Sequence, residues 1–412
     1  MCVHCGFCLQ ACPTYLALEG ENDSPRGRLV LMRGLLDGEI SPTDSVLSHI
    51  DRCLGCLGCE SACPSGVPYG RLLEATRATL AAYRPIPRLA RVVLGVFRSS
   101  LLRRGALAFA RVLRWSRLPR LARRLPSRQA FPFAMLASTR PSLPEGRYRP
   151  NVPPPGAPRT ALLFGCVMEG LYAPTNRATE RVLQVNGYDM IPAPGQTCCG
   201  ALHAHAGDAA AARGLAKRNI VAFEQSGAEY VVVNASGCGA AMKEYGHLLG
   251  DDAAWSNRAT AIATRVRDVS ELLAARGPLP GGRLPFSVTY DAPCHLQHAQ
   301  RVVSPPLAVL AAIPGLRVSP LTDSSQCCGS AGIYNLVEPE TSERVLASKL
   351  DHLERTGADL VVSGNPGCLM QIGAGLIRRR SPMRGVHLVD LLDASYAQAW
   401  KTQGGEPSSH GH

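Results

Sequence analysis

Cys2-Val3-His4-Cys5-Gly6-Phe7-Cys8-Leu9-Gln10-Ala11-Cys12-Pro13 and Cys53-Leu54-Gly55-Cys56-Leu57-Gly58-Cys59-Glu60-Ser61-Ala62-Cys63-Pro64 share one spacing, Cys-x2-Cys-x2-Cys-x3-Cys-Pro. This is the ligand run of bacterial ferredoxins, in which the fourth cysteine serves the cluster of the other run. Three closely spaced thiolates wrap one face of a cube. The fourth lies on the chain as it leaves, where proline helps turn it away. The spacing therefore predicts two [4Fe–4S] clusters, one held by Cys2, Cys5, Cys8 and Cys63 and one by Cys53, Cys56, Cys59 and Cys12. Structural zinc usually takes paired ligands separated by a longer stretch, which does not match. A c-type haem needs Cys-x-x-Cys-His, and Gly6 and Glu60 stand where the histidine would be.

The rest of the composition agrees with a redox protein of a reducing compartment. Sixteen cysteines in a chain of 412 residues, four of them within the first twelve, leave no room for a signal peptide's apolar run. Metal-bound thiolates in the cytoplasm fit better than disulfides. The first run opens at Cys2, which is compatible both with a bare N-terminus and with a start further upstream. No uncharged run of 18 apolar residues predicts a membrane span. Aromatic residues are 5% of the chain, too few for a base-stacking surface, and no nucleic-acid reading motif accompanies the charge.

The net charge of +12 belongs to one segment. Between Glu74 and Glu145 lie fifteen arginines, no lysine and no acid, so the remainder of the chain is slightly negative. Helices are expected over 92–97 and 101–115, with Pro85, Pro87, Pro119, Pro126 and Pro132 breaking the segment. Arginine interleaved with leucine, valine and phenylalanine suits docking to a partner with peripheral contact to the inner face of an anionic membrane. Seven prolines within 141–158 read as a linker.

From Thr160 short apolar runs alternate with helical stretches, the pattern of α/β units around parallel strands. Strands are expected at 161–164, 189–191, 230–233, 286–290, 316–319 and 360–362. This half is duplicated. Cys166, Cys198-Cys199-Gly200 and Cys238 recur as Cys294, Cys327-Cys328-Gly329 and Cys368, at offsets of 128, 129 and 130 residues. Each landmark follows an expected strand, and loops at the carboxyl ends of parallel strands converge on one crevice. Two four-thiol sets are therefore expected as further metal or redox sites, against the alternative of buried structural cysteines. The fold class is a multidomain one: an α-helical two-cluster ferredoxin domain (1–83), an Arg-rich helical segment and Pro-rich linker (84–158), two cysteine-rich α/β units (159–280 and 281–400) and a tail (401–412).

The two cysteine runs, Ser24-Pro25-Arg26-Gly27-Arg28 between them and the two Cys-Cys-Gly repeats resemble the iron–sulfur subunits of bacterial glycolate oxidases. The helix-like text between the runs is similar to helical two-cluster ferredoxin domains of respiratory iron–sulfur subunits. The wider family pairs such a ferredoxin with two "CCG" domains, and includes the third subunit of anaerobic glycerol-3-phosphate dehydrogenase and heterodisulfide reductase subunits. The resemblance implies a complex in which flavin-containing dehydrogenase subunits oxidise glycolate to glyoxylate and this chain passes electrons to a membrane acceptor such as quinone. Glycerol-3-phosphate or lactate dehydrogenase subunits, or an enzyme reducing a disulfide in its own right, are the alternative readings. In the fullest CCG form each unit ends in Cys-x-x-Cys. Here Ala235 and Asn365 replace the earlier cysteine, leaving four per unit.

No Gly-x-Gly-x-x-Gly follows a strand, so no dinucleotide site and no catalytic residue are expected in this chain. His203, His205, His295 and His298 flank the thiol landmarks and read first as loop or core histidines. Arg26 and Arg28 lie between the cluster runs, where positive charge would raise a cluster's potential.

Overall fold

A computed structural model describes residues 1–116, 119, 130–150 and 152–404. The ferredoxin part is built on three helices, α1 (Pro25–Leu36), α2 (Asp44–Asp51) and α3 (Tyr69–Leu80). Ser24 caps α1 by accepting a hydrogen bond from the Gly27 amide at 3.0 Å, with Pro25 in the first turn. Gly27 has no alternative: a Cβ there would stand 2.0 Å from the Glu21 carbonyl oxygen. Met32, Leu47, Ile50, Leu73 and Leu80 close a small core around Cys53 and Cys59.

The Arg-rich segment folds as a helical hairpin, α4 (Arg88–Arg98) and α5 (Ser100–Trp115), joined at the Ser99 cap. Its polarity differs from the sequence expectation. Arg103 and Arg114 are buried, not surface charges. Arg103 donates to the Phe97 carbonyl at 3.0 Å, and Arg114 to those of Thr139 and Leu171 at 3.0 and 2.9 Å. The outward face of α5 sets apolar residues beside the exposed Arg104 and Arg111: Leu101, Phe109, Val112 and Trp115 are each at least 65% exposed. Phe97 offers Arg103 a carbonyl, and Thr139 and Leu171, from later in the chain, offer theirs to Arg114, so both long cationic side chains turn inward. Arg123 and Arg124 lie outside the described residues. Helix α6 (Ala130–Ser138) returns the chain to the C-terminal half.

That half holds two parallel four-stranded sheets. The first contains β1 (Arg159–Leu162), β2 (Asp189–Met190), β3 (Tyr230–Val233) and β4 (Val266–Asp268) in the order β2-β1-β3-β4. The second contains β5 (Ser287–Tyr290), β6 (Arg317–Ser319), β7 (Leu360–Ser363) and β8 (Arg384–His387) in the order β6-β5-β7-β8. All pairs are parallel, and the shared order makes the duplication visible in three dimensions. The six expected strands are present within a residue or two. β4 and β8 were not foreseen: each is short and carries arginine where a buried strand normally shows an apolar run.

Helices α7 (Ala173–Val185), α8 (Ala209–Ser226), α9 (Val269–Arg276), α10 (Ser304–Ala311), α11 (Pro339–Arg355), α12 (Pro366–Arg379) and α13 (Leu388–Thr402) cover the sheets. The two units do not close separately. One apolar core runs through both, joining Leu162, Val182 and Leu273 of the first to Val288, Val362 and Leu392 of the second. Helix α13, the last among the described residues, packs on α7 of the first unit. Its Asp393 accepts hydrogen bonds from the Gly146 amide, the Tyr148 hydroxyl and the Arg181 guanidinium at 2.8, 2.9 and 2.7 Å. No helix among the described residues is long and apolar enough to cross a membrane.

Removing one partner of a buried charged pair strands the other. Asp393→Ala is expected to destabilise the iron-loaded protein by about 3 kcal/mol, read as a lower urea midpoint. An unchanged midpoint would show that the linker and first unit hold without this carboxylate.

Candidate iron–sulfur and thiol sites

Two adjacent pockets in the ferredoxin part are lined by its eight cysteines. One is walled by Cys2, Cys5, Cys8 and Cys63 with Cys59 at its edge. The other is walled by Cys12, Cys53, Cys56 and Cys59. The last cysteine of each run therefore sits with the first three of the other. The two runs wrap alike: His4 and Gly55 hold equivalent positions with φ of 54° and 61°, and Gly6 and Leu57 with 84° and 62°. Left-handed residues recurring in register bend the chain around a centre. They also turn amides toward sulfur, so His4 N–H donates to Cys2 Sγ and Gly55 N–H to Cys53 Sγ, both at 3.4 Å. Four thiols around a concavity, with amides aimed at them, are a donor set that fits a [4Fe–4S] cube.

The second pocket is surrounded by positive charge. Arg28 has no exposed surface and donates to the His49 carbonyl at 2.6 Å, Thr14 Oγ1 at 3.0 Å and Asp23 Oδ1 at 3.3 Å. Arg77 donates through Nη2 to the carbonyls of Ile50, Asp51 and Cys53, the last at 2.6 Å, and through Nη1 to that of His205. Burial works to raise the Cys53 thiol pKa, but Arg28 and Arg77 overcome it and, with the Tyr69 hydroxyl at 3.5 Å, hold that pKa down. Arg26 is different: it is partly exposed and paired with Glu21 at 2.5 Å.

The repeated half brings each expected thiol set together. In the first unit Cys166 and Cys198 sulfurs lie 3.7 Å apart, Cys198 contacts Cys199, and Cys199 contacts Cys238. In the second, Cys294 contacts Cys327, Cys327 contacts Cys328, and Cys328 contacts Cys368. Gly200 and Gly329 explain the third letter of Cys-Cys-Gly. Their φ values are 92° and 85°, and a Cβ at Gly329 would stand 2.7 Å from the Ser342 carbonyl oxygen. No three Cys, His, Asp or Glu side chains among the described residues surround one point closely enough for a single metal ion. The thiols form a row of neighbours, a shape suited to a larger cage or to a redox relay.

The two sets have different surroundings. Asn365, standing where a fifth cysteine would be, donates to Cys368 Sγ at 3.3 Å, whereas Ala235 offers no polar group. Cys294 and Cys327 share an apolar cluster with Leu54 and Cys56 of the second ferredoxin pocket. Burial raises the Cys56 thiol pKa, and the nearby Cys327 and Cys12 add to it. The first set instead packs with Phe97 of α4 and Leu215.

The histidines take bracing positions. His203 is buried with Nε2 3.2 Å from the Leu94 carbonyl oxygen. His298 bridges Ser61 Oγ and the Ser325 carbonyl at 2.9 and 3.0 Å, tying the ferredoxin part to the second unit. His295 lies against Cys294 Sγ at 3.5 Å, and its ring meets that of His205 at 5.3 Å with a tilt of 55°. Burial, with His205 beside it, pushes its pKa down to about 3. Tyr69, Arg77 and Tyr334, which bonds the Arg52 carbonyl at 2.8 Å, were not singled out from sequence. They lie far along the chain from what they serve.

Together these features define an iron–sulfur protein in which a two-cluster ferredoxin is joined to a duplicated cysteine-rich domain. The family described as "4Fe-4S dicluster domain" matches residues 1–67, and that described as "Cysteine-rich domain" matches 160–243 and 288–373. The chain belongs to the glycolate oxidase iron–sulfur subunit family. It is 38% identical to the probable glycolate oxidase iron–sulfur subunit of Bacillus subtilis, over 95% of this chain and 92% of that one. With the glycolate oxidase iron–sulfur subunit of Escherichia coli it shares 35% identity over 89% and 88%. Lactate utilization protein A of Exiguobacterium matches at 29% over 59% of this chain and 100% of its own.

Gly329→Ala would force a side chain into a left-handed position against backbone. It is expected to cost roughly 1–3 kcal/mol and to raise the reactivity of the second unit's thiols toward alkylating reagents. Wild-type stability and labelling would show that the turn tolerates a side chain.

Proposed function

We propose that this chain is the electron-transfer subunit of a glycolate-oxidising complex, with flavin-containing partner subunits turning glycolate into glyoxylate. The observation that carries the reading is the exchange of Cys12 and Cys63 between two adjacent four-thiol pockets. In this reading Cys2, Cys5, Cys8 and Cys63 hold one [4Fe–4S] cluster, and Cys12, Cys53, Cys56 and Cys59 hold the other. Each cluster, when bound, supplies a one-electron carrier. The chain's own part is to hold the sulfurs, exclude water from the second site and stabilise added negative charge there with Arg28 and Arg77. The route then continues from Cys56 into the Cys294, Cys327, Cys328 and Cys368 set, which abuts it. The set of Cys166, Cys198, Cys199 and Cys238 is a further redox or cluster site reached less directly.

Glycolate is proposed over lactate because the glycolate oxidase relatives align along nearly the whole chain. Protein purified anaerobically is expected to carry about eight iron atoms in its N-terminal part, two cubes of four. Cys56→Ser should lose one cluster. The chain alone should leave glycolate unoxidised in a dye assay, with activity appearing on addition of the co-purified flavin subunits. Zinc in place of iron would defeat the cluster assignment. Glycolate oxidation by the isolated chain would favour an enzyme in its own right.

The outward face of α4 and α5 is proposed to lie on an anionic membrane surface. Leu89, Val92, Leu101, Phe109, Val112 and Trp115 are exposed on helices that carry arginine and no acid, which matches apolar insertion beside anionic headgroups. Replacing Leu101, Phe109 and Val112 with serine should reduce co-flotation with phosphatidylglycerol vesicles at least ten-fold while leaving iron content intact. Undiminished flotation would mean that this face meets another protein.

A further inference from the structure

The second cysteine-rich unit carries a buried ion pair where the first has neutral residues. Lys349 of α11 and Asp291, just past the end of β5, meet at 3.0 Å with 2% of each side chain exposed. The 128-residue offset that relates Cys166 to Cys294 puts Leu163 opposite Asp291. The 130-residue offset that relates Cys238 to Cys368 puts Asn219 opposite Lys349 and Val233 opposite Ser363. Leu163, Asn219 and Val233 are all buried and uncharged. Asn219 accepts from the Thr197 N–H at 2.7 Å and donates to the Cys198 carbonyl at 3.0 Å and Tyr245 Oη at 3.1 Å. Lys349 instead donates to the carbonyls of Asp323 and Ser324 at 2.8 and 3.2 Å, on the loop that leads into Cys327-Cys328. Asp291 stands three residues before Cys294 and accepts from the Ser363 hydroxyl at 3.4 Å. The pair therefore fastens the loop of Cys294 to the loop of Cys327 and Cys328, and does so with charge.

A buried ion pair is a poor way to gain stability, because desolvation of the two ions offsets most of their attraction. The first unit shows that the same fold closes without one. An electron arriving at the second thiol set adds negative charge to a dry site, and a fixed cation nearby favours that state. Burial works to lower the Lys349 pKa, and Asp291 with Cys328 and Cys327 more than offset it, so the ammonium stays charged. We infer that Lys349 is a positioning residue for electron transfer: its ammonium, held in place by Asp291, raises the potential of the second unit's redox centre. The inference rests on the electron-transfer reading above and adds to it the groups that tune the second thiol set. Lys349 acts on the four sulfurs through its field and through the loop it holds. The step it serves is a one-electron transfer from the Cys12, Cys53, Cys56 and Cys59 site, which is oxidised, to the second unit's centre, which is reduced. The ammonium offsets the added charge and keeps its proton.

The test is an anaerobic redox titration of the iron-loaded, full-length protein, followed by absorption, paramagnetic resonance and mass-spectrometric counting of trapped thiols. The second unit's centre is the signal that Cys327→Ser removes. Lys349→Met keeps the stem and removes the charge; it should shift that centre at least ten-fold toward its oxidised form, a fall of about 59 mV for a one-electron couple. Asp291→Asn keeps the shape and removes the opposing charge, and should shift the centre toward its reduced form. Opposite signs are the mark of a field, whereas a clamp that is only structural would push both variants the same way or move neither. Asp291→Leu with Lys349→Asn installs the first unit's residues and leaves no stranded ion. This double variant should fold, keep both ferredoxin clusters at their wild-type potentials and lower the second unit's potential by less than Lys349→Met does. If Lys349→Met does not fold, the double variant and Asp291→Asn carry the same comparison of sign. Shifts of one sign, or none, would overturn the inference and leave the electron-transfer reading standing. A wild-type protein with no signal that Cys327→Ser removes would overturn it together with the route through the second unit. Missing ferredoxin clusters would bring down the reading itself, and this inference with it, which iron analysis reports separately.

Discussion

A guanidinium with no exposed surface, that of Arg28, sets the conditions under which the rest of this molecule can exist. The fold packs thiol-bearing loops from three parts of the chain against one another. Thiolates in low dielectric are costly unless charge of the opposite sign is close. Arg28 supplies that charge from inside and Arg77 from the side, and Asp23 keeps Arg28 from being an uncompensated cation itself. Asp23 is in turn shared with His49 and Arg52 at 3.1 and 3.4 Å, so the buried network is positive overall when Arg28 and Arg52 are counted against one carboxylate. Such a network favours the state of a nearby cluster that carries the extra electron.

The same economy explains how the parts are joined. Where a peptide carbonyl would be buried without a partner, an arginine reaches it: Arg77 ties the ferredoxin loop to the first cysteine-rich unit, and Arg114 ties the hairpin to Thr139 and Leu171. Tyr334 and His298 do likewise for the second unit. These bonds place Cys56 against Cys294 and Cys327 but leave the first thiol set beside the hairpin. Duplication made two similar sheets, and attachment of the ferredoxin made their thiol sites unequal. Asn365 and Ala235, at equivalent positions, carry that inequality into the chemistry of the sites.

Much of this was legible in the sequence because the signals are local. Ligand spacing, the Ser24-Pro25 helix start, and the register of Cys166, Cys198, Cys238 with Cys294, Cys327, Cys368 need only neighbouring residues to be read. The crossing of Cys12 and Cys63 was an expectation from spacing, and the two pockets are lined in that pattern. What stayed hidden depends on distant parts of the chain. β4 and β8 are strands because a sheet edge pairs with them, not because Val266–Asp268 or Arg384–His387 look apolar. Arg103 and Arg114 read as surface charge in a basic segment, and only the carbonyls at Phe97, Thr139 and Leu171 turn them inward. The pairing of Lys349 with Asp291 was illegible for the same reason, since the two lie on separate elements of the second unit.

The position of α13 has a consequence for how the protein is made. Helix α7 is finished near Val185, yet the helix that covers it begins at Leu388, about two hundred residues later. At roughly 5–20 residues per second, a ribosome needs on the order of 10–40 s to supply it. During that interval the nascent first unit has Val182 and Leu183 without their final cover, and Arg181 with Glu145 but not yet Asp393 as partner. The N-terminal cysteine loops emerge first, whereas closure of the first unit's core waits for α13, so the front of the chain is complete long before its back.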